Sequence, residues 1–220
     1  MLNIEQIEDI AYITVDDGKA NVVSEAYSCA VNEALDYAEA NAKVVVIAGR
    51  PGRFSAGFDL SVIRDGTPQA AAQMRTAGAR TMHRIFVHPQ PVVLACTGHA
   101  LAAGALILLA GDTRIGMHGD FKIGLNETAI GLPLPEYALE LVKARMPVAQ
   151  WTSSIIQAQV HSPGSAVSAG YLDQVVAPDR LREAALAQAQ KLAGIAGPAY
   201  ATVKQRLRGQ AARAMLELID

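Results

Sequence analysis

Cysteine is scarce in this chain, with two in 220 residues. Cys29 and Cys96 both lie among apolar neighbours and lack metal-type spacing. A disulfide framework is excluded, and reduced, buried thiols in a cytoplasmic protein are expected. The five histidines form no HExxH or other close ligand pattern, so no metal site is expected. No excess of basic residues exists either. The formal net charge is −2 and no basic stripe is visible, which argues against nucleic acid or an acidic membrane surface as partner. The longest apolar stretch, around Ala100–Ala110, is too short to span a bilayer. The first residues, MLNIEQIEDIAY, lack a basic segment followed by an apolar one, so no signal peptide is expected. Finally, neither GxxxxGK[ST] nor GxGxxG occurs, which removes nucleotide hydrolysis and a Rossmann cofactor.

What is present describes a globular domain. The chain is 51% hydrophobic and 18% charged, and its length suits one domain with a real core. Ile10–Val15 reads as a strand and Asp16-Asp17-Gly18-Lys19 as a turn. Ser24 is placed to cap a helix running to about Asn41, with Val31, Ala34, Leu35 and Ala38 on one face. Val44–Ala48 is a continuous apolar run, the mark of a strand buried on both faces. A loop from Gly49 to Leu60 follows, then a helix over Pro68–Val87. The second half reads as helices over Pro135–Arg145, Val148–Gln159, Ser162–Ala169, Pro178–Ala193 and Pro198–Ile219. The last is interrupted at Gly209, and Tyr171–Val176 is a short extended segment. Strands alternating with helices, then helices dominating, give an α/β or α+β chain.

Two stretches carry the chemistry. Pro91–His118 reads as strand, tight turn at Gly98, buried helix and strand. Small residues, Ala102-Ala103-Gly104-Ala105, stand at the helix mouth, where first-turn N–H groups have no intrahelical partner. The stretch is either an anion or oxyanion site or a place of close strand–helix packing. No Ser, Cys or Asp occupies the apex, which disfavours a nucleophile-elbow hydrolase. The second stretch, Gly49–Leu60, holds another small-residue turn, Ser55-Ala56-Gly57. Two such turns can aim backbone donors at one carbonyl oxygen and stabilise an enolate. The chemistry then needs a general base. Glu127, between Gly124 and Gly131, is the most plausible carboxylate, against the commoner alternative of an exposed loop acid. Asp59 and Asp112 read as structural acceptors at turns and helix ends.

Gly52-Arg53-Phe54-Ser55-Ala56-Gly57-Phe58-Asp59-Leu60 resembles the FxAGxDL signature of the crotonase (enoyl-CoA hydratase/isomerase) superfamily. Thr97-Gly98-His99-Ala100-Leu101-Ala102-Ala103-Gly104 resembles its second signature, GxALGGG. The similarity runs from about Ile10, through the DDGKAN turn, to Val176. It implies an α/β fold, a crotonase-like spiral of ββα turns over 1–160. A helical C-terminal region over 161–220 would contribute to oligomer contacts and pocket cover. It implies an acyl-CoA thioester substrate, with coenzyme A as part of that substrate and no separate cofactor, and a homotrimer or hexamer. By position, the thioester oxygen would sit between the backbone N–H groups of Phe58 and Ala103. Ala56, Gly57, Asp59 and Leu60 would lie against the CoA moiety, and Leu106 and Leu132 would line the pocket.

The chain departs from the hydratases of this family at one informative place. Those enzymes carry two glutamates; the first falls at Leu106 here, the second at Glu127. The surroundings of Glu127, Ile123-Gly124-Leu125-Asn126-Glu127-Thr128, resemble the corresponding loop of mitochondrial-type 3,2-enoyl-CoA isomerases. Water addition by the two-carboxylate scheme needs both acids, whereas moving a double bond needs one base. An isomerase with Glu127 as its catalytic residue is therefore expected. Hydration or thioester hydrolysis on the same site is the alternative, and a non-catalytic CoA-ester-binding or scaffold protein the alternative of another class. Arg50 and Arg53 either hold CoA phosphates or serve as exposed solubilising charges. His88 is expected to cap a helix end or lie at the surface, and His99 to stand beside the oxyanion turn.

Overall fold

The computed structural model describes residues 2–219. Its main sheet comprises β1 (Leu2–Ile7), β2 (Ile10–Val15), β4 (Val44–Ala48), β7 (Val92–Cys96), β9 (Thr113–Met117) and β11 (Gln174–Val176), hydrogen-bonded in that order. Only the β1–β2 pair is antiparallel. The continuous apolar runs of β4 and β7 are explained by burial on both sides. Val45, Ile47, Val92 and Leu94 face one core, while Val44, Val46, Val93 and Ala95 face another. The second core is closed by Leu181, Ala185 and Ala189 of α7 (Leu181–Ala193), which lie at four-residue spacing on one helix face.

A smaller parallel sheet runs beside the first, ordered β10 (Ile123–Gly124), β8 (Gly98–Leu101), β5 (Gly52–Ser55). A two-stranded pair joins β3 (Val22–Val23) to β6 (Gly57–Phe58). Each turn of the chain runs from the main sheet to a short strand and then to a helix. The sets are β2–β3–α1 (Glu25–Asn41); β4–β5–β6 with α2 (Leu60–Asp65) and α3 (Pro68–Val87); β7–β8–α4 (Ala103–Ala110); and β9–β10–α5 (Glu136–Arg145). This is a spiral of ββα turns. The helical end follows, with α6 (Pro163–Ala169), α7, and α8 (Pro198–Ile219) packed on α3 and α5.

Several expectations are met closely. Ser24 caps α1 by accepting the Tyr27 N–H at 3.1 Å, and α3 spans Pro68–Val87 with Thr67 as its cap. Others are corrected. The segment 49–60 is no simple loop, since it contains β5, β6 and the start of α2. The turn at Gly98 is strand β8. Both misreadings have one cause, because strands of two to four residues are too short to display a period. Val148–Gln159 is not one helix but a 3₁₀ turn, Val148–Gln150, followed by a π-type turn, Thr152–Ile156. Helix α8 runs through Gly209 unbroken, because packing on α3 and α5 outweighs about 1 kcal/mol of glycine propensity. Cys29 is exposed rather than buried. It lies on α1 at the solvent-facing spacing of Glu25 and Glu33, opposite the apolar stripe.

Candidate active site

The small sheet assembles the site. β5, β8 and β10 are parallel neighbours, so their C-terminal ends emerge side by side. Phe58 follows the end of β5 by three residues, Ala103 follows β8 by two, and Glu127 follows β10 by three. Side chains distant in sequence are thereby delivered to one rim, as ligand sites are in parallel sheets generally.

The two small-residue turns touch. Gly57 sits at φ +89°, and a Cβ placed there would lie 2.8 Å from Ala102 Cβ, 2.9 Å from the Leu101 carbonyl and 3.2 Å from the Ala103 nitrogen. A Cβ on Gly104 would lie 2.4 Å from the Ser55 carbonyl oxygen. The glycines thus permit backbone contact between β6 and the mouth of α4. Ala102 is held at φ 50°, ψ −126°, a region that L residues rarely adopt. Its own N–H donates to the Gly124 carbonyl at 3.0 Å, and its carbonyl receives Ala105 N–H and Leu106 N–H. The strained peptide turns the chain into the helix, leaving the Ala103 amide as a first-turn donor without an intrahelical acceptor. Gly57→Ala is expected to cost about 1–3 kcal/mol through the positive φ and the clash. It should also lower kcat/KM by about a hundredfold through displacement of the Ala103 amide. A thermal melt and initial rates check both; an unchanged rate would show that the contact does not matter to function.

Sequence reading missed the groups that fix the first turn. Asn21, buried at φ 50°, donates through Nδ2 to the Val15 carbonyl at 2.8 Å and reaches the carbonyls of Arg53 and Phe54 at 3.3 Å. Buried Ser55 donates to the Asn21 carbonyl at 2.7 Å and accepts the Gly57 N–H at 3.2 Å. The visible signal was an asparagine closing a turn, where that residue tolerates positive φ. Asp59 behaves as expected, capping α2 by accepting from Ser61 N–H and Oγ at 2.9 and 2.6 Å. Those bonds hold its carboxyl below the usual range. Leu60 is exposed beside it, Ala56 is half-buried, and the Phe58 ring lies over Gly78 of α3.

Glu127 stands in a loop whose carbonyl accepts the N–H groups of Ile130 and Leu132, both at 3.0 Å. Its side chain is half-buried, and Oε2 is enclosed without a hydrogen-bond partner among the described residues. Burial pushes its pKa up to about 7, partly offset by its own backbone N–H, and no second carboxylate among the described residues acts on it. The Tyr137 hydroxyl and Asn126 Oδ1 are likewise buried and unpartnered. Tyr171, fully buried, accepts the Leu125 N–H at 3.3 Å. Leu106 is 1% exposed, in the apolar core of α4, and Leu132 is half-buried beside the Glu127 loop. The rim therefore offers a carboxylate poised near neutrality, a helix-mouth amide outside the intrahelical ladder and apolar walls. No group of three or more histidine, cysteine or acidic side chains suited to a metal occurs among the described residues.

The other candidates are elsewhere engaged. Arg50 pairs with Asp16 at 3.1 Å and donates to the Lys19 carbonyl at 2.6 Å; Arg53 is exposed, bonded to the Gly52 carbonyl. His88 is indeed the C-cap residue of α3, yet buried rather than at the surface, 3.3 Å from Glu39, and burial pushes it down to about 4. His99 accepts the Lys122 N–H through Nδ1 at 3.0 Å, joining β8 to the strand-to-loop crossing before β10.

A spiral of ββα turns, with a helix-mouth amide and a buried carboxylate carried on the ends of neighbouring short parallel strands, is the architecture in which the candidate residues sit. The chain belongs to the enoyl-CoA hydratase/isomerase family, whose model matches residues 5–219. A putative enoyl-CoA hydratase from Thermus thermophilus is 27% identical over 94% of this chain and 83% of its own length. Mycobacterial relatives are covered over 59–60% of theirs. An enoyl-CoA hydratase/isomerase family protein from Pseudomonas syringae superposes with a TM-score of 0.96 at 36% identity, covering 99% of this chain and 94% of that one. EchA3 of Mycobacterium tuberculosis superposes at 0.96 and 35% identity, covering 100% and 93%. It is described as a probable enoyl-CoA hydratase in one structure and as an enoyl-CoA isomerase in another.

Proposed function

We propose that the protein moves the double bond of a 3-enoyl-CoA thioester to the 2-position, with Glu127 as the one proton carrier. The thioester oxygen is held by the N–H groups of Phe58 and Ala103, while backbone from Ala56 to Leu60 borders the CoA moiety. The Glu127 carboxylate removes a proton from C2, and the electron pair spreads over C2–C4 and the thioester oxygen. The two amides stabilise that oxyanion. Returning the proton to C4 gives the 2-enoyl thioester and restores the carboxylate, so nothing else is consumed. The observations that carry the reading are a buried carboxylate with a pKa pushed to about 7 and, on the helix that opens at Ala103, a buried Leu106 rather than an acid. Leu106 and Leu132 act as apolar walls that keep water from the dienolate.

Hydration is the second reading, favoured by the names of the relatives. One assay separates them. Incubation with a 3-enoyl-CoA is expected to yield the 2-enoyl thioester, and incubation with a 2-enoyl-CoA to yield little 3-hydroxyacyl-CoA. Rapid, stoichiometric 3-hydroxy product from the 2-enoyl ester would establish the hydratase instead.

A further inference from the structure

Pairing within the small sheet stops at Gly124, three residues short of Glu127. There the Gly124 carbonyl accepts the Ala102 N–H at 3.0 Å, which bonds the strand end to the turn presenting the Ala103 amide. Whatever fixes the chain between Gly124 and Glu127 therefore fixes the separation of carboxylate and amide. That segment is held by the chain over 154–171. Ile123 and His161 exchange backbone hydrogen bonds at 2.9 and 2.8 Å. The buried Leu125 N–H, past the last strand pair, donates to the Tyr171 hydroxyl at 3.3 Å. Beyond Glu127, Thr128 Oγ1 donates to the Ile155 carbonyl at 3.4 Å. Glu127 thus stands between two anchors. The chain that supplies them is braced in turn. Tyr171 is fully buried directly after Gly170, the C-cap of α6, with its ring 5.8 Å from that of His161. His161 Nε2 is hydrogen-bonded at 2.9 Å to the hydroxyl of fully buried Ser154, in the π-type turn that also contains Ile155. Such turns occur frequently at functional sites. Burial raises the phenol pKa and lowers that of the imidazole, so both rings are neutral at pH 7 and the brace buries no charge.

We propose that Tyr171 is a positioning residue for the reaction: its hydroxyl, backed by His161 and Ser154, sets where Glu127 stands relative to the Ala103 amide. The inference rests on the reading of Glu127 as the base. Past the end of β10 the Leu125 N–H has no strand partner among the described residues, and the phenol oxygen takes that place. A buried amide left unpaired would draw the loop toward another acceptor. The Thr128 anchor is the weaker one, being longer and on an exposed residue. Misplacing a reacting group by about 1 Å can cost on the order of a hundredfold in rate. Binding of the acyl-CoA ester does not depend on that alignment, so the effect belongs to kcat. A tyrosine kept only for packing would lose its oxygen without any change in turnover.

Tyr171→Phe removes one oxygen and keeps the ring against His161. It is expected to lower kcat for a 3-enoyl-CoA about tenfold. The calorimetric dissociation constant of hexanoyl-CoA should change by less than about twofold, and hydrogen exchange at the Leu125 amide should speed up about tenfold or more. Ser154→Ala removes only the far partner and should lower kcat about threefold; it carries the test if Tyr171→Phe does not fold. Val44→Ala, in the core between the main sheet and α7, is the control for lost stability. It should lower the melting temperature and leave kcat unchanged. An undiminished kcat in Tyr171→Phe, unaltered exchange at Leu125, or an equal loss of kcat in Val44→Ala overturns the positioning role. If the wild-type protein makes 3-hydroxyacyl-CoA from a 2-enoyl-CoA instead, the isomerase reading falls, and the same kcat comparison on that ester decides Tyr171 separately. A wild-type protein that turns over neither ester brings down both.

Discussion

Glu127→Gln is expected to lower turnover of a 3-enoyl-CoA by about 10²–10⁴-fold, while acyl-CoA esters still bind. That range is what a positioned general base contributes to a proton transfer. The amide keeps the shape of the side chain, and the loop is held by the Glu127 carbonyl rather than by its carboxyl. The substitution therefore removes proton transfer and little else. Among the described residues no second carboxylate acts on this one to take over the work, and Leu106 cannot carry a proton. Single-turnover rates and calorimetric binding on the same preparation separate the two effects. Undiminished turnover would remove Glu127 from the mechanism.

The same residue sets the pH dependence. Burial raises the carboxyl from 4.5 to about 7, and the base acts only when ionised. kcat/KM, which reports ionisations of the free enzyme, is expected to climb with pH through about 7 and then level. The stability effect has the opposite sense. Between pH 4.5 and about 7 the folded protein binds a proton that the unfolded chain releases, so stability falls as pH rises across that window. At 1.36 kcal/mol per unit, the loss is on the order of 3 kcal/mol, and Glu127→Gln should flatten that slope. Activity and stability thus move in opposite directions with pH, as expected for a base kept in apolar surroundings.

Legibility differed between levels of the fold. Long elements with a clear period, such as α1 and α3, were readable to the residue because capping side chains and buried stripes agree. The strands β4 and β7 were readable as fully buried because both faces demand apolar residues. The fourfold ββα repeat was not visible, since it is a repeat of geometry: β5, β8 and β10 share no residue pattern. Their pairing is specified by glycines whose missing Cβ atoms are filled by neighbouring backbone. Among the candidate site residues, Glu127 was legible from its glycine-flanked loop, whereas the Phe58 and Ala103 amides were singled out only through motif resemblance. Tyr137 was invisible, because an unpartnered buried hydroxyl is a property of packing around a side chain and leaves no trace in spacing.

Asp112→Asn is expected to destabilise the protein by about 3–5 kcal/mol, the cost of stripping the counter-charge from buried cations. Asp112 follows α4 and was read as a helix-end acceptor; its role is wider. Its Oδ2 accepts the Val92 N–H at 2.7 Å and Lys204 Nζ at 2.6 Å, while Oδ1 lies 2.9 Å from Arg208. The three side chains are 6–9% exposed. Lys204 also donates to the Gln90 carbonyl at 3.2 Å, and Arg208 to the Phe86 carbonyl at 2.7 Å. These bonds fasten α8 to the end of α3 and the start of β7. Burial nevertheless pushes the Lys204 ammonium down to about 8 despite the adjacent carboxylate, so desolvation outweighs attraction at that group. The network specifies where α8 docks more than it adds stability. Two results follow. The single variant should melt roughly 10 °C lower, at about 2–4 °C per kcal/mol for a chain of this size. Adding Lys204→Met and Arg208→Met to it should recover much of the loss, because the orphaned charges leave together. A triple variant no more stable than the single one would mean that the hydrogen bonds to Gln90 and Phe86, rather than the charges, hold the helix.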